Sequence, residues 1–132
     1  MYANVKRAIA ALVLGGISLG AAAQTVSFAE PADGAVVSSP FKVKFAVSGM
    51  EVKPAGEMAA NTGHHHLIIN GGSIKAGESV PFDEKHLHFG KGQTEAEVTL
   101  PPGKYKLTMQ FANGAHQSYG PDGSKTISVT VK

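Results

Sequence analysis

Three stretches of the chain alternate apolar and polar residues one by one. Phe41, Val43, Phe45 and Val47 interleave with Lys42, Lys44, Ala46 and Ser48. Tyr105, Leu107, Met109 and Phe111 interleave with Lys106, Thr108 and Gln110, and Ile127, Val129 and Val131 with Thr126, Ser128 and Thr130. A period of two puts successive side chains on opposite faces, so each stretch predicts a strand with one buried face. Val26 and Phe28, and the segments 64–70, 85–89 and 94–100, bring the strand candidates to about seven. Turn residues punctuate them: Pro31-Ala32-Asp33-Gly34, Pro54-Ala55-Gly56, Asn70-Gly71-Gly72, Pro101-Pro102-Gly103 and Gly120-Pro121-Asp122-Gly123. No segment after the leader sustains the i, i+3, i+4 spacing of an amphipathic helix. The pattern predicts an all-β, immunoglobulin-like β-sandwich of about seven strands. Segment 49–63, which contains Met50 and Met58, reads as the long loop, and it runs into three consecutive histidines.

The N-terminus reads differently. Lys6 and Arg7 precede an apolar stretch at 8–19, and Ala21-Ala22-Ala23 offers small residues for a peptidase. The apolar run is shorter than the roughly 20 residues needed to span a bilayer. Residues 1–23 are therefore expected to be a signal peptide, cleaved near Ala23, with 24–132 a single domain. The expected localisation is the periplasm or outside the cell, with membrane contact only through the leader before cleavage.

Removing the leader changes the charge. The full chain carries 12 Lys plus Arg against 10 Asp plus Glu. Lys6 and Arg7 leave with the leader, and the remainder is neutral and has no arginine. Arginine is the usual bidentate reader of phosphate and guanine, so nucleic-acid binding is not expected. Cysteine is absent, which removes both disulfides and thiolate metal ligands.

Six histidines stand out against this background: His64-His65-His66, His86 and His88 flanking Leu87, and His116. In a strand, residues i and i+2 share a face at roughly 6.6–7 Å, close enough for two imidazoles to converge on one ion. His65 shares its face with Leu67 and Ile69, so it is expected to pack toward the core, while His64 and His66 look away from it. Leu87 and Phe89 belong on a buried face, which leaves His86 and His88 together on the other. Asn113-Gly114 signals a turn, and placing 112–123 in one longer connection puts His116 at the rim. The candidate metal ligands are thus His64, His66 and His88, with His86 and His116 completing or supporting the site. All-imidazole sites suit zinc or copper. Met50 and Met58 read as packing residues rather than copper ligands.

Other chemistry finds little support. No G-x-S-x-G nucleophile elbow is present. Glu95 and Glu97 read as a solvated strand face, and Gly90-Lys91-Gly92 as a hairpin turn rather than a phosphate cradle.

With those residues in view, the chain resembles the bacterial exported family known as domain of unknown function 4399. The resemblance is carried by GHHHLIIN at 63–70, HLHFGKGQTEAEVTLPPGKYKLTMQF at 86–111, NGAH ending at His116, and PADGAVVSSPFKVKFAVSGM at 31–50. It implies an exported immunoglobulin-like sandwich and no established activity. A looser likeness, resting only on H-x-H in a β-sandwich, is to copper–zinc superoxide dismutases. The leading expectation is an exported His-rich domain binding copper or zinc, with the question of enzymatic activity left open. The alternative is a non-metal interaction module that binds a periplasmic protein or envelope partner, and behind it a metal-dependent redox enzyme of superoxide dismutase type.

Overall fold

The computed structural model describes residues 25–132, and the expected signal peptide lies outside them. Nine strands follow one another along this stretch: β1 (Thr25–Glu30), β2 (Ala35–Val37), β3 (Phe41–Ser48), β4 (Glu51–Val52), β5 (Thr62–Ile69), β6 (His86–Phe89), β7 (Glu95–Val98), β8 (Gly103–Ala112) and β9 (Ser124–Val131). A short 3-10 turn at Pro121–Gly123 precedes β9. All seven strand candidates are present. The two additions, β2 and β4, are three and two residues long, too short for alternation to reveal them.

The strands form two sheets. One has the order β1-β3-β7; the other runs β2-β9-β8-β5, with β4 and β6 both pairing β5 at its far edge. A single apolar core lies between them. Val26, Phe41, Val43, Phe45 and Val98 face it from the smaller sheet, and Leu67, Ile69, Leu107, Met109 and Phe111 from the larger. Ile127, Val129 and Val131 extend it. The alternating residues of β3, β8 and β9 supply most of this list, as their period requires. Each fully buried Val, Leu, Ile or Phe contributes roughly 1.5–3 kcal/mol.

Alternation fails on the outer face of the larger sheet. Every residue of β5 is buried, on both faces. Thr108 and Gln110, the polar partners in the β8 alternation, are fully buried as well. The connection 71–85 crosses this face together with the loop 113–123. Ile74 N–H donates to Gln110 Oε1 at 2.8 Å, Thr108 Oγ1 donates to the Gly71 carbonyl at 2.7 Å, and Ser118 Oγ donates to the Ile74 carbonyl at 2.7 Å. Gln110 Nε2 reaches the Phe111 and Gly120 carbonyls at 3.0 and 3.1 Å. Polar side chains under a loop satisfy backbone groups that water would otherwise have to serve. That is why Thr and Gln line this buried face and Leu does not.

Candidate metal centre

Strand β5 positions the first ligands. In register, His64 lies opposite Ala112, His66 opposite Gln110 on β8 and His88 on β6, and Ile68 opposite His86. His64, His66, His86 and His88 therefore share the outer face of the larger sheet, as their phase predicts. His65 points the other way, into the core. Its ring stacks on Phe45 with centroids 4.6 Å apart and meets Phe111 edge-on at 5.1 Å. Its Nδ1 lies 3.3 Å from Met109 Sδ. A thioether only accepts, so Nδ1 carries the proton and Nε2 the bare lone pair.

The expectation that His64 and His66 look away from the core holds, but looking away from the core does not bring them to solvent. Both are buried, with the rings of His88 on β6 and of His116 from the 113–123 loop lying against them.

The loop supplies one further imidazole. His116 has a left-handed backbone (φ 64°), a conformation uncommon outside glycine. Its N–H donates to the Asn113 carbonyl at 2.8 Å, and its own carbonyl accepts from Val80 N–H at 2.9 Å. Asn113 Oδ1 accepts from Ala115 and Gln117 N–H at 2.9 and 3.0 Å. The turn is thus tied at both ends, and the ring is aimed back over the sheet.

Four imidazoles meet there. One ring nitrogen from each of His64, His66, His88 and His116 lies within 4.8 Å of all the others. Ring centroids are 4.7 Å apart for His64–His66 and for His88–His116, and 5.0 Å for His64 with either His88 or His116. The Nε2 atoms of His88 and His116 share a hydrogen bond of 3.0 Å. A tetrahedral ion with metal–nitrogen bonds of 2.0–2.1 Å needs its ligand nitrogens about 3.3–3.4 Å apart, so small side-chain rotations close the group around one ion.

The electrostatics favour the neutral, lone-pair form. Burial, then the neighbouring His88 and His116, lowers His64 to a pKa of about 4. Burial, then His64, His88 and His116, lowers His66 to about 3. His88 is lowered by burial and by His116. At neutral pH these rings are uncharged and able to donate to a cation. Both ring nitrogens of His64, and Nδ1 of His66, are buried without a hydrogen-bond partner among the described residues. Such orphaned atoms in a folded protein ask for a ligand.

His86 does not join the group. Its Nδ1 lies 2.7 Å from Asp83 Oδ1, and that hydrogen bond holds the Asp83 carboxyl below its ordinary range. Although His86 and His88 share a face, the nearby carboxylate draws the His86 ring away from the other four. Met58 is exposed and Met50 packs against the core.

Phe82 was not legible as part of this region. Its ring is 70% exposed, yet it sits 5.1 Å from the His88 ring and 5.3 Å from that of His116. Nothing in the polar run around it signalled that 71–85 folds over the histidines; the isolated apolar residues Ile74, Val80 and Phe82 were the available hint. Val80 is buried under the loop, donating its N–H to His116.

No curated protein and no solved structure shows significant similarity to the chain. Residues 43–132, which include all nine-tenths-buried histidines and both half-buried ones of the group, match the family model described as Domain of unknown function (DUF4399), and the chain belongs to that family.

Proposed function

We propose that this protein is an exported domain that binds a transition-metal ion, zinc or copper, through His64, His66, His88 and His116. One observation carries the proposal: four imidazoles converge within 4.8 Å, and both ring nitrogens of His64 and Nδ1 of His66 lack partners among the described residues. Leaving such groups unmade costs about 1–3 kcal/mol each, a cost that a bound cation offsets. The donor set supports the choice of metal. Imidazole nitrogen without carboxylate or thiolate suits zinc and copper, whereas calcium and magnesium take oxygen ligands. Export rests on the leader-like residues 1–23, and a periplasmic carrier or metal-resistance role fits a site built from four imidazoles.

The test is a competition titration of the purified protein with Zn(II) and Cu(II) against a chromogenic chelator, beside the His64→Ala/His66→Ala variant. The wild type should bind one equivalent, and the variant should lose at least about 100-fold in affinity, because two of four ligands are gone. Equal, weak binding by both proteins removes the metal reading.

The exposed Phe82 ring beside the group favours one second reading, an interaction module that docks a periplasmic protein over the histidine face. That module would keep its partner in the presence of chelator.

A further inference from the structure

His64 and His66 are held by burial on a strand paired on both sides. His88 has less to hold it. It is half-buried and lies on β6, which among the described strands pairs only with β5. Its ring nevertheless meets those of His64, His66 and His116 at 4.7–5.1 Å. The space that this rotamer occupies lies two residues along the chain. Gly90 opens the turn directly after β6, and the His88 ring is folded back over its α-carbon. A β-carbon at Gly90 would stand 2.6 Å from His88 Nε2 and 3.2 Å from Nδ1, and would overlap Cε1.

The backbone does not explain this glycine. Gly92 has a φ of +83° and needs to be glycine for its conformation, whereas Gly90 lies outside the left-handed region. Nor does the Gly90 carbonyl, which accepts from Ala55 N–H at 2.8 Å, since any residue offers that group. The remaining requirement is space, and the imidazole occupies it. His64, His66, His116 and Phe82 surround the ring on its other sides, so a ring pushed off Gly90 moves toward solvent and away from the group.

We propose that Gly90 is a positioning residue for His88: its missing side chain admits the one ring placement that brings His88 Nε2 to His116 and into the four-imidazole group. The consequence for metal affinity rests on the function proposed above; the placement of the ring does not.

A double-mutant cycle tests this on the purified protein, comparing wild type, Gly90→Ala, His88→Ala and the double variant. Zn(II) and Cu(II) affinities are read by chelator competition, and the His88 ring of the metal-free proteins by imidazole proton–nitrogen correlation spectra. Gly90→Ala should shift the His88 ring resonances and lower affinity about 10–100-fold, the range for residues that orient a ligand. Added to His88→Ala, it should lower affinity no further. An equal loss in both backgrounds, or wild-type affinity with an unmoved ring, overturns the proposal. If Gly90→Ala alone does not fold, urea unfolding of the double variant decides: recovery of His88→Ala stability supports a clash with the ring, and continued failure to fold overturns it. Should the wild type bind neither metal, the metal reading falls, and the metal-free spectra still decide the role of Gly90.

Discussion

At the scale of single residues, His64 and His66 hold ring nitrogens out of reach of water and of any partner among the described residues. The same burial keeps them neutral, and this makes stability depend on pH. Their folded pKa values, about 4 and about 3, lie below the unfolded value of 6.5, as does that of His65, which burial lowers to about 4. Above pH 6.5 neither state is protonated, and the full stability is present. As pH falls below 6.5 the unfolded chain takes up protons that the folded one refuses, so stability drops until pH reaches the folded values. The metal-free protein should therefore lose up to about 1.4 kcal/mol per pH unit for each of these histidines between pH 6.5 and about 4. Urea midpoints measured in chelator across that range check it, and a flat profile would mean the rings are not buried as described. The orientation of His65 was legible from its phase with Leu67 and Ile69. The burial of His64 and His66 was not, because phase reports which side of a sheet a residue takes and says nothing of what covers that side.

At the scale of elements, the strands were legible and the connections were not. Alternation in β3, β8 and β9 reflects one apolar face per strand, a local property of the sequence. The 71–85 connection makes no regular structure of its own; it is held to β8 by Thr108 Oγ1, which donates to the Gly71 carbonyl, and by the Gln110 side chain, which serves Ile74 N–H and, in the 113–123 loop, the Gly120 carbonyl. Gln110 reads in the sequence as a solvated polar position between Met109 and Phe111. Gln110→Ala leaves these backbone groups unserved and should destabilise the protein by about 1–3 kcal/mol. Hydrogen exchange at the amides of 71–85 should speed up in that variant before that of β8 and β9. Uniform protection across all of them would show that the connection does not depend on Gln110. The same scale explains His86, where a carboxylate three residues away, Asp83, competes for the ring and wins by proximity.

At the scale of the whole molecule, the proposed centre joins segments distant in sequence: β5 brings His64 and His66, β6 brings His88, and the 113–123 loop brings His116. An ion bound by all four ties the larger sheet to its covering loops, and binding to the folded state alone adds stability by mass action. At a free metal concentration of 100 times the dissociation constant, the gain is about 2.7 kcal/mol. For a domain of this size that raises Tm by roughly 10–20 °C. Calorimetry with and without Zn(II) or Cu(II) should show the shift in the wild type and lose it in His64→Ala/His66→Ala. A shift of the same size in both would place the metal elsewhere.

The amino-acid sequence alone determined the all-β class, the faces of the main strands, the inward turn of His65 and the outward phase of both H-x-H pairs. These follow from alternation, which is written residue by residue and needs no partner to be read. Tertiary structure decided which imidazoles meet. Packing over the sheet buried His64 and His66, a tied turn delivered His116, Asp83 drew His86 aside, and the bare α-carbon of Gly90 made room for His88. The burial of His64 and His66 and the arrival of His116 depend on groups brought together through space by strand register and long connections. The effects of Asp83 and Gly90 are near in sequence but depend on side-chain placement, and no periodicity along the chain encodes any of them.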